Sequence, residues 1–427
     1  MGGQLNVYNL GSKGVNVDTS PLHLEDGELT LAQNVIQDPI GGKGGIVNRP
    51  GLAAFSGSAA AGTLVGGIGV PLSQVTAHTT YIGRQNAVGW WKSTSAFTTT
   101  ATLVSLPARA ADTTDFTSDT YEGIAGCFLN GQFYYPATGY LIGTANPSIR
   151  AFDGTTDVEV ARVAPPPANG YTISNYGIVS MIAANGVVYF ITRDGAIATR
   201  TGRVMQLTPA TGVVTQLGSD FTVASGHTPQ CLCWHAGRLW MGTYVIGAAA
   251  AAHVSYFRPG VDTDWTTEHN TTTCRAVSAL TSFNGELYVG LTQAGGTAAT
   301  IERRSSLGAW TAAVDTGATT NEGNTYSAGV VIGSAIYHAY VDALVPSMVI
   351  RKYDGSSWTT AFTAAGTNRN RVAVLSTWNN ITYAAGGTGG NPILLSTPDG
   401  TTWTDRSSSL VNAGAAYVVP AIFEIGS

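Results

Sequence analysis

Apolar and polar positions alternate along most of this chain in short runs, each broken by a pair of turn-forming residues, which is the pattern of half-buried strands joined by hairpins. The clearest copy is Asn284-Gly285-Glu286-Leu287-Tyr288-Val289-Gly290, where Asn-Gly suits the positive dihedrals of a tight turn and Leu-Tyr-Val continues as a strand. The phrase returns at Asn130-Gly131-Gln132-Phe133-Tyr134, Asn185-Gly186-Val187-Val188-Tyr189, Ala236-Gly237-Arg238-Leu239-Trp240, Gly333-Ser334-Ala335-Ile336-Tyr337 and Asn379-Asn380-Ile381-Thr382-Tyr383. With a degenerate first copy ending at Tyr81, the aromatic anchors Tyr81, Tyr134, Tyr189, Trp240, Tyr288, Tyr337 and Tyr383 fall 46 to 55 residues apart. A second signal follows each anchor, an aromatic or Asp-Gly turn before a Thr-rich strand, as in Trp265-Thr266-Thr267, Trp310-Thr311, Asp354-Gly355-Ser356-Ser357-Trp358 and Asp399-Gly400-Thr401-Thr402-Trp403.

Four short strands in each period predict an all-β fold, a β-propeller of seven blades with six or eight as the alternatives. The ring is expected over residues 63–427, and the β-prone stretch Ala415 to Ile425 is expected to pair with the first blade, because an open ring would leave two sheet edges bare. Residues 1–62 stand outside the repeat. Their isolated apolar residues, set among Gly, Pro and acidic positions, predict an extended N-terminal arm that docks on something else rather than folding alone.

Composition narrows the partners. Charged residues make up only 11% of the 427, against about 25% in ordinary soluble domains, so the surface is read as Ser, Thr, Asn and Gly. Lysine occurs only at Lys13, Lys43, Lys92 and Lys352, and the net charge of −5 gives no basic footprint for gripping DNA. No apolar run approaches the roughly 20 residues that span a bilayer, Met1 to Gly14 lacks a signal-peptide layout, and Asn6 stands where a myristoylation motif wants Ser or Thr. The chain is therefore expected to be made in a cytoplasm without membrane insertion. Cys231, Cys233 and His235 alternate on one strand face, a weak metal signal, but Cys127 and Cys233 each lie seven residues before an anchor and read as core; no metal and no cofactor is expected.

The arm resembles the opening of the propeller-bearing tail proteins of tailed bacteriophages, above all the tail nozzle or hub proteins of short-tailed phages. The resemblance is carried by Gly14 to Asp18, Ser20-Pro21, the stretch Gly27 to Asp38 and the closing Arg49-Pro50-Gly51 that leads into blades, about the first 55 residues. It implies a structural virion protein, present as copies of itself in a ring, joined to adjoining tail or portal-side adaptor proteins, with DNA passing through at ejection without specific binding. Assembly in the host cytoplasm and a final place in the virion tail follow from the same resemblance. Docking is expected through the polar groups of Glu28, Asn34, Asp38 and Arg49 and the apolar side chains of Leu24, Leu29 and Val35, ahead of Pro50 and Gly51.

No HExxH, GxSxG, Walker or dinucleotide-binding pattern occurs, and the expectation is of a chain that is not an enzyme. The alternative is a carbohydrate-binding or sialidase-like propeller at the host surface, because Ser396 to Trp403 resembles the Asp-box turn of sialidase-like propellers, displaced by one residue. Such a site needs clustered arginines and a tyrosine-acid pair. Arg303-Arg304 and Arg369-Asn370-Arg371 do not share a blade position and are read as solvated strand ends; Asp262 with Asp264, and Glu25 with Glu28, are read as turn and surface residues.

Overall fold

The computed structural model describes residues 126–136, 148–163, 176–194, 202–221, 226–245, 251–271, 274–293, 300–315, 329–342, 347–364, 372–378, 381–388 and 391–409, together with short strands between 14 and 104 and at 422–426. Two compact units divide the chain, Met1–Thr76 and Ala77–Ser427. In the first, β1 (Gly14–Val15) runs parallel to β2 (Glu28–Leu29), and β3 (Val35–Gln37) pairs antiparallel with β4 (Ile46–Asn48).

The second unit is a β-propeller, and among the described residues it contains no α-helix. Its first sheet holds β5 (His78–Gly83), β6 (Trp90–Ser93) and β7 (Thr102–Val104). The next blade is β8 (Cys127–Leu129), β9 (Gln132–Pro136), β10 (Ser148–Phe152) and β11 (Asp157–Arg162), followed by β12 (Tyr176–Ala184), β13 (Val187–Asp194), β14 (Gly202–Thr208) and β15 (Val213–Phe221). The fourth is β16 (His227–His235), β17 (Arg238–Val245), β18 (His253–Phe257) and β19 (Thr266–Asn270), and the fifth β20 (Cys274–Phe283), β21 (Glu286–Gln293), β22 (Thr300–Arg304) and β23 (Trp310–Asp315). Then come β24 (Val330–Ile332), β25 (Ala335–Asp342), β26 (Ser347–Tyr353) and β27 (Trp358–Ala364), and finally β28 (Val372–Trp378), β29 (Ile381–Thr388), β30 (Asn391–Thr397) and β31 (Thr404–Asp405). The chain's last strand, β32 (Ile422–Gly426), returns to pair antiparallel with β5, Ile422 opposite Ile82 and Gly426 opposite His78.

Local chemistry explains why each blade turns where it does. Asn130, Asn185, Ala236 and Asn284 all sit near φ +50°, and each precedes a glycine also at positive φ, the conformation of a tight hairpin between a blade's first two strands. The hairpin between the third and fourth strands of three blades is an Asp-Gly turn closed by the aspartate itself. Asp153 accepts the N–H groups of Thr155 and Thr156 at 2.8 and 2.7 Å, Asp354 those of Ser356 and Ser357 at 2.9 Å each, and Asp399 those of Thr401 and Thr402 at 2.8 and 3.1 Å.

The anchors then do the packing. Tyr189, Trp240, Tyr288, Tyr337 and Tyr383 are all buried on the second strand of their blades, each contributing about 1.5–3 kcal/mol of burial. The tryptophan opening the outer strand reaches back to the preceding blade: Trp265 packs on Phe221 and donates to the Leu217 carbonyl at 3.0 Å, and Trp403 packs on Phe362. The fourth and fifth blades are hydrogen-bonded into one sheet. Tyr244 pairs with Ala276 across their boundary, and a Cβ on Gly242 would lie 2.3 Å from Val277 Cγ1, so only glycine allows the approach.

Candidate active site between the fourth and fifth blades

The repeat supplies its own baseline for finding an unusual site. On the third strand of a blade, the residue opposite Leu239 is Phe257, the residue opposite Ile336 is Tyr353 and the residue opposite Val188 is Leu207. All face an apolar seam. In the fifth blade the same place, opposite Leu287, is Arg304, and two residues earlier on the same face stands Glu302, opposite Val289.

The fourth blade answers these charges with two of its own. Glu268 and His269 are consecutive on β19, and strict alternation would send them to opposite faces. The register slips here: His269 opposes Val254 while Thr267 opposes Ser255, so Glu268 is the extra residue of a bulge and both side chains turn toward the fifth blade. The His269 Nε2 lies 2.5 Å from Glu302 Oε2, with the two side chains 21% and 8% exposed, and the imidazole stacks on Trp310 at 4.0 Å and 8°. Glu268 accepts a hydrogen bond from Arg304 Nε and holds Arg238 at 3.8 Å. The Arg304 guanidinium lies 5.1 Å over the Trp240 ring, and that of Arg238 4.4 Å over Tyr256.

His235 completes the cluster at the hairpin end. It is buried, and its Nδ1 meets the exposed Ser282 hydroxyl at 2.8 Å. Burial first, and then the positive charges of Arg304 and Arg238, hold this imidazole below the ordinary histidine range, so it stays neutral at neutral pH. A carboxylate-oriented imidazole and a second, neutral imidazole are general-base groups.

Other features of the region are structural. Tyr288 donates to Glu286 at 2.8 Å with Arg303 3.6 Å from that carboxylate, which supplies a tyrosine-acid pair beside an arginine. However, Tyr134 makes the same contact with the neutral Gln132 at 2.9 Å, so the link braces the anchor wherever the repeat allows. The indole N–H of Trp310 is buried without an acceptor among the described residues, but so are those of Trp358 and Trp403, and it marks nothing special to this seam.

The sequence-derived candidates fare unevenly. Arg303 and Arg304 do take opposite faces, but Arg304 is not a solvated strand end: its side chain is 14% exposed and paired. Asp262 braces its own turn through Arg258 at 2.6 Å, and Asp264 accepts from the Ser219 hydroxyl at 2.8 Å, tying the fourth blade to the third. Cys231 and Cys233 face the seam below His235, their thiols pushed up by burial and bonded to the carbonyls of Val277 and Trp234. Among the described residues no three His, Cys, Asp or Glu side chains form a metal-binding group. In the arm, Glu28 and Leu29 form β2 and Val35 opens β3, whereas Leu24, Asn34, Asp38, Arg49, Pro50 and Gly51, like Glu25 and Arg369 to Arg371, lie outside the described residues. His269, Glu302 and Glu268 were missed because the bulge hides their common face. Their only linear trace is Glu-His on a strand otherwise made of Thr and Asn.

No protein-family profile and no curated protein matches this sequence. Solved structures match by shape. A putative 6-phosphogluconolactonase from Bacteroides uniformis is similar over 82% of this chain and 99% of its own, at 9% identity and a TM-score of 0.50. A Hadza microbial sialidase is similar over 70% of this chain and 71% of its own, at 9% identity and a TM-score of 0.45. A prolyl endopeptidase is similar over 70% of this chain at 12% identity and a TM-score of 0.36, and the chain spans 51% of that protein's length. At such identities the likeness is one of fold. It corrects one expectation, that the chain is not an enzyme: the similar structure at a TM-score of 0.50 is that of a putative lactonase, and the lack of short linear motifs excludes no enzyme in a fold that hosts many kinds of site.

Proposed function

We propose that this propeller is a carbohydrate-acting enzyme whose chemistry is carried by the seam between the fourth and fifth blades. The observation that carries the reading is the Glu302–His269 pair. A nearly buried carboxylate holds Nε2 of a partly exposed imidazole and leaves Nδ1 for a second partner, the arrangement of an oriented general base. Nδ1 takes the proton of a water or sugar hydroxyl, and Glu302 stabilises the imidazolium formed. Arg238, on the rim, supplies a donor fork for hydroxyl or carboxylate groups of the sugar.

Energetics support a functional over a structural role. A buried ion pair is often no better for stability than well-packed apolar residues, by about 1–4 kcal/mol in the apolar direction. The seam between the fifth and sixth blades shows that this chain can build an apolar one, so the paired charges at this seam have a reason other than holding the ring together. The Asp-Gly turns at Asp153, Asp354 and Asp399 add the resemblance to sialidase-like propellers already noted for Ser396 to Trp403. With the resemblance of the arm to phage tail proteins, we propose that the activity is exercised at a host surface by a virion-attached protein, the arm providing the attachment.

The test is turnover and binding on a panel of bacterial surface polysaccharides and sialylated glycans. The full chain should cleave at least one class, and Glu302→Gln and His269→Ala should lower kcat by about 10²–10⁴-fold with glycan binding retained. Equal turnover by wild type and His269→Ala would sink the assignment.

A further inference from the structure

The hairpin end of the same seam carries a second constellation, which the proposed sugar chemistry does not use. In each blade whose first hairpin is described, the last residue of the inner strand sits opposite the first residue of the next. That residue is Leu129, Ala184, Phe283, Ile332 or Trp378 in five blades, and His235 in the fourth. An imidazole thus replaces an apolar group. It is 2% exposed, its Nε2 has no hydrogen-bond partner among the described residues, and its Nδ1 reaches across to the neighbouring inner strand, where Ser282 Oγ stands at 2.8 Å.

Ser282 is exposed although its neighbours Thr281 and Phe283 are buried, and its hydroxyl lies against the His235 ring at the strand end. We infer that Ser282 is a nucleophile with His235 as its base, forming a serine–histidine pair that accepts acyl esters. With the ring proton on Nε2, Nδ1 accepts from the serine hydroxyl. As Oγ attacks an ester carbonyl, its proton passes to Nδ1. The imidazolium then returns that proton to the leaving alcohol as the carbon–oxygen bond breaks, and water hydrolyses the acyl-serine by the same route in reverse.

Burial, and then the positive charges of Arg304 and Arg238, hold the His235 imidazole below the ordinary histidine range, while the nearby Glu268 carboxylate opposes them. The base is therefore available over the whole neutral region.

A fluorophosphonate is the direct probe, because its fluoride leaves as the phosphorus–Oγ bond forms and the adduct is located by peptide mass. Ser282 should be labelled in the folded chain, Ser282→Ala should lose that adduct, and His235→Leu, which installs the residue the second blade carries, should slow labelling at least tenfold. The rate should rise with pH along a titration whose midpoint lies below pH 6.5. A second variant removes dependence on the hydroxyl. Ser282→Cys should be alkylated by iodoacetamide faster than the double variant with His235→Leu. An unlabelled Ser282, or His235→Leu labelling at the wild-type rate with Ser282→Cys alkylation also unchanged by that substitution, overturns the assignment. Neither outcome bears on the Glu302–His269 pair, whose readout is glycan turnover.

Discussion

Between the fifth and sixth blades, Trp358 stacks on Tyr353 at 5.0 Å and meets Tyr288 edge-on at 6.4 Å, with Phe283, Ile336 and Val349 around them. Between the fourth and fifth, Trp310 opens the equivalent strand and stacks instead on His269, while Arg304 takes the place of Tyr353. The two seams use one backbone plan for different ends. The first gains its energy from desolvated rings; the second buries charge that must be paired on both sides to be tolerated at all. A repeat protein can thus keep its ring closed with most of its seams and release one for chemistry.

The sharpest way to break this comparison is to remove each tryptophan. Trp358→Ala should cost about 3–5 kcal/mol in denaturant unfolding, and Trp310→Ala distinctly less, because its ring covers a histidine rather than other apolar rings. Equal losses would show that both seams are structural. A smaller effect comes from the ion pair. Arg304→Met leaves Glu268 with the more distant Arg238 alone and should cost about 1–3 kcal/mol, whereas Arg304→Met with Glu268→Leu should recover to within about 1 kcal/mol of wild type. A double-mutant cycle checks it.

Acid provides a third test, located within the fourth blade. His227 and His253 stack with ring centres 3.6 Å apart, and burial, followed by the nearness of His253, pushes His227 down to about 4 from 6.5. The unfolded chain then binds the proton first, so stability is highest above pH 6.5 and falls as pH drops toward about 4. The unfolding midpoint should be lower at pH 5 than at pH 7, and His227→Phe should flatten that slope. The smallest effect belongs to the exposed turns. The N–H of Ser357, then the hydroxyl and N–H of Ser356, hold the Asp354 carboxyl near about 2, below its usual 3.8. Its contribution is present above pH 3.8 and lost as pH falls through about 2, and Asp354→Ala should move the neutral-pH midpoint least of the four.

What was legible beforehand follows from how local each cause is. Asn284-Gly285 and its copies are short-range instructions, and the hairpins appear where they predict, including the one at Ala236-Gly237, where alanine accepts φ +48°. The return of the C-terminal strand was legible too, since an all-β ring has few other uses for it. The seam was not. Its members come from four strands, Arg304 finding Glu268 and His269 finding Glu302 across more than thirty residues, and the bulge at Glu268 breaks the alternation from which faces are read. Arg303 and Arg304 are consecutive on β22 and so take opposite faces, yet nothing local tells which face holds a partner.

The pairing of β32 with β5 has a kinetic consequence. It joins the two ends of the propeller unit, so the loop it closes is nearly the whole unit and its entropy is offset only when the intervening blades already stand. Closure should come late in refolding and slowly, as non-local strand pairing does. Until then the inner edge of the first sheet is bare, and a second chain's last strand fits it as well as its own. High concentration during refolding should therefore yield exchanged dimers, in which each ring is completed by the other molecule.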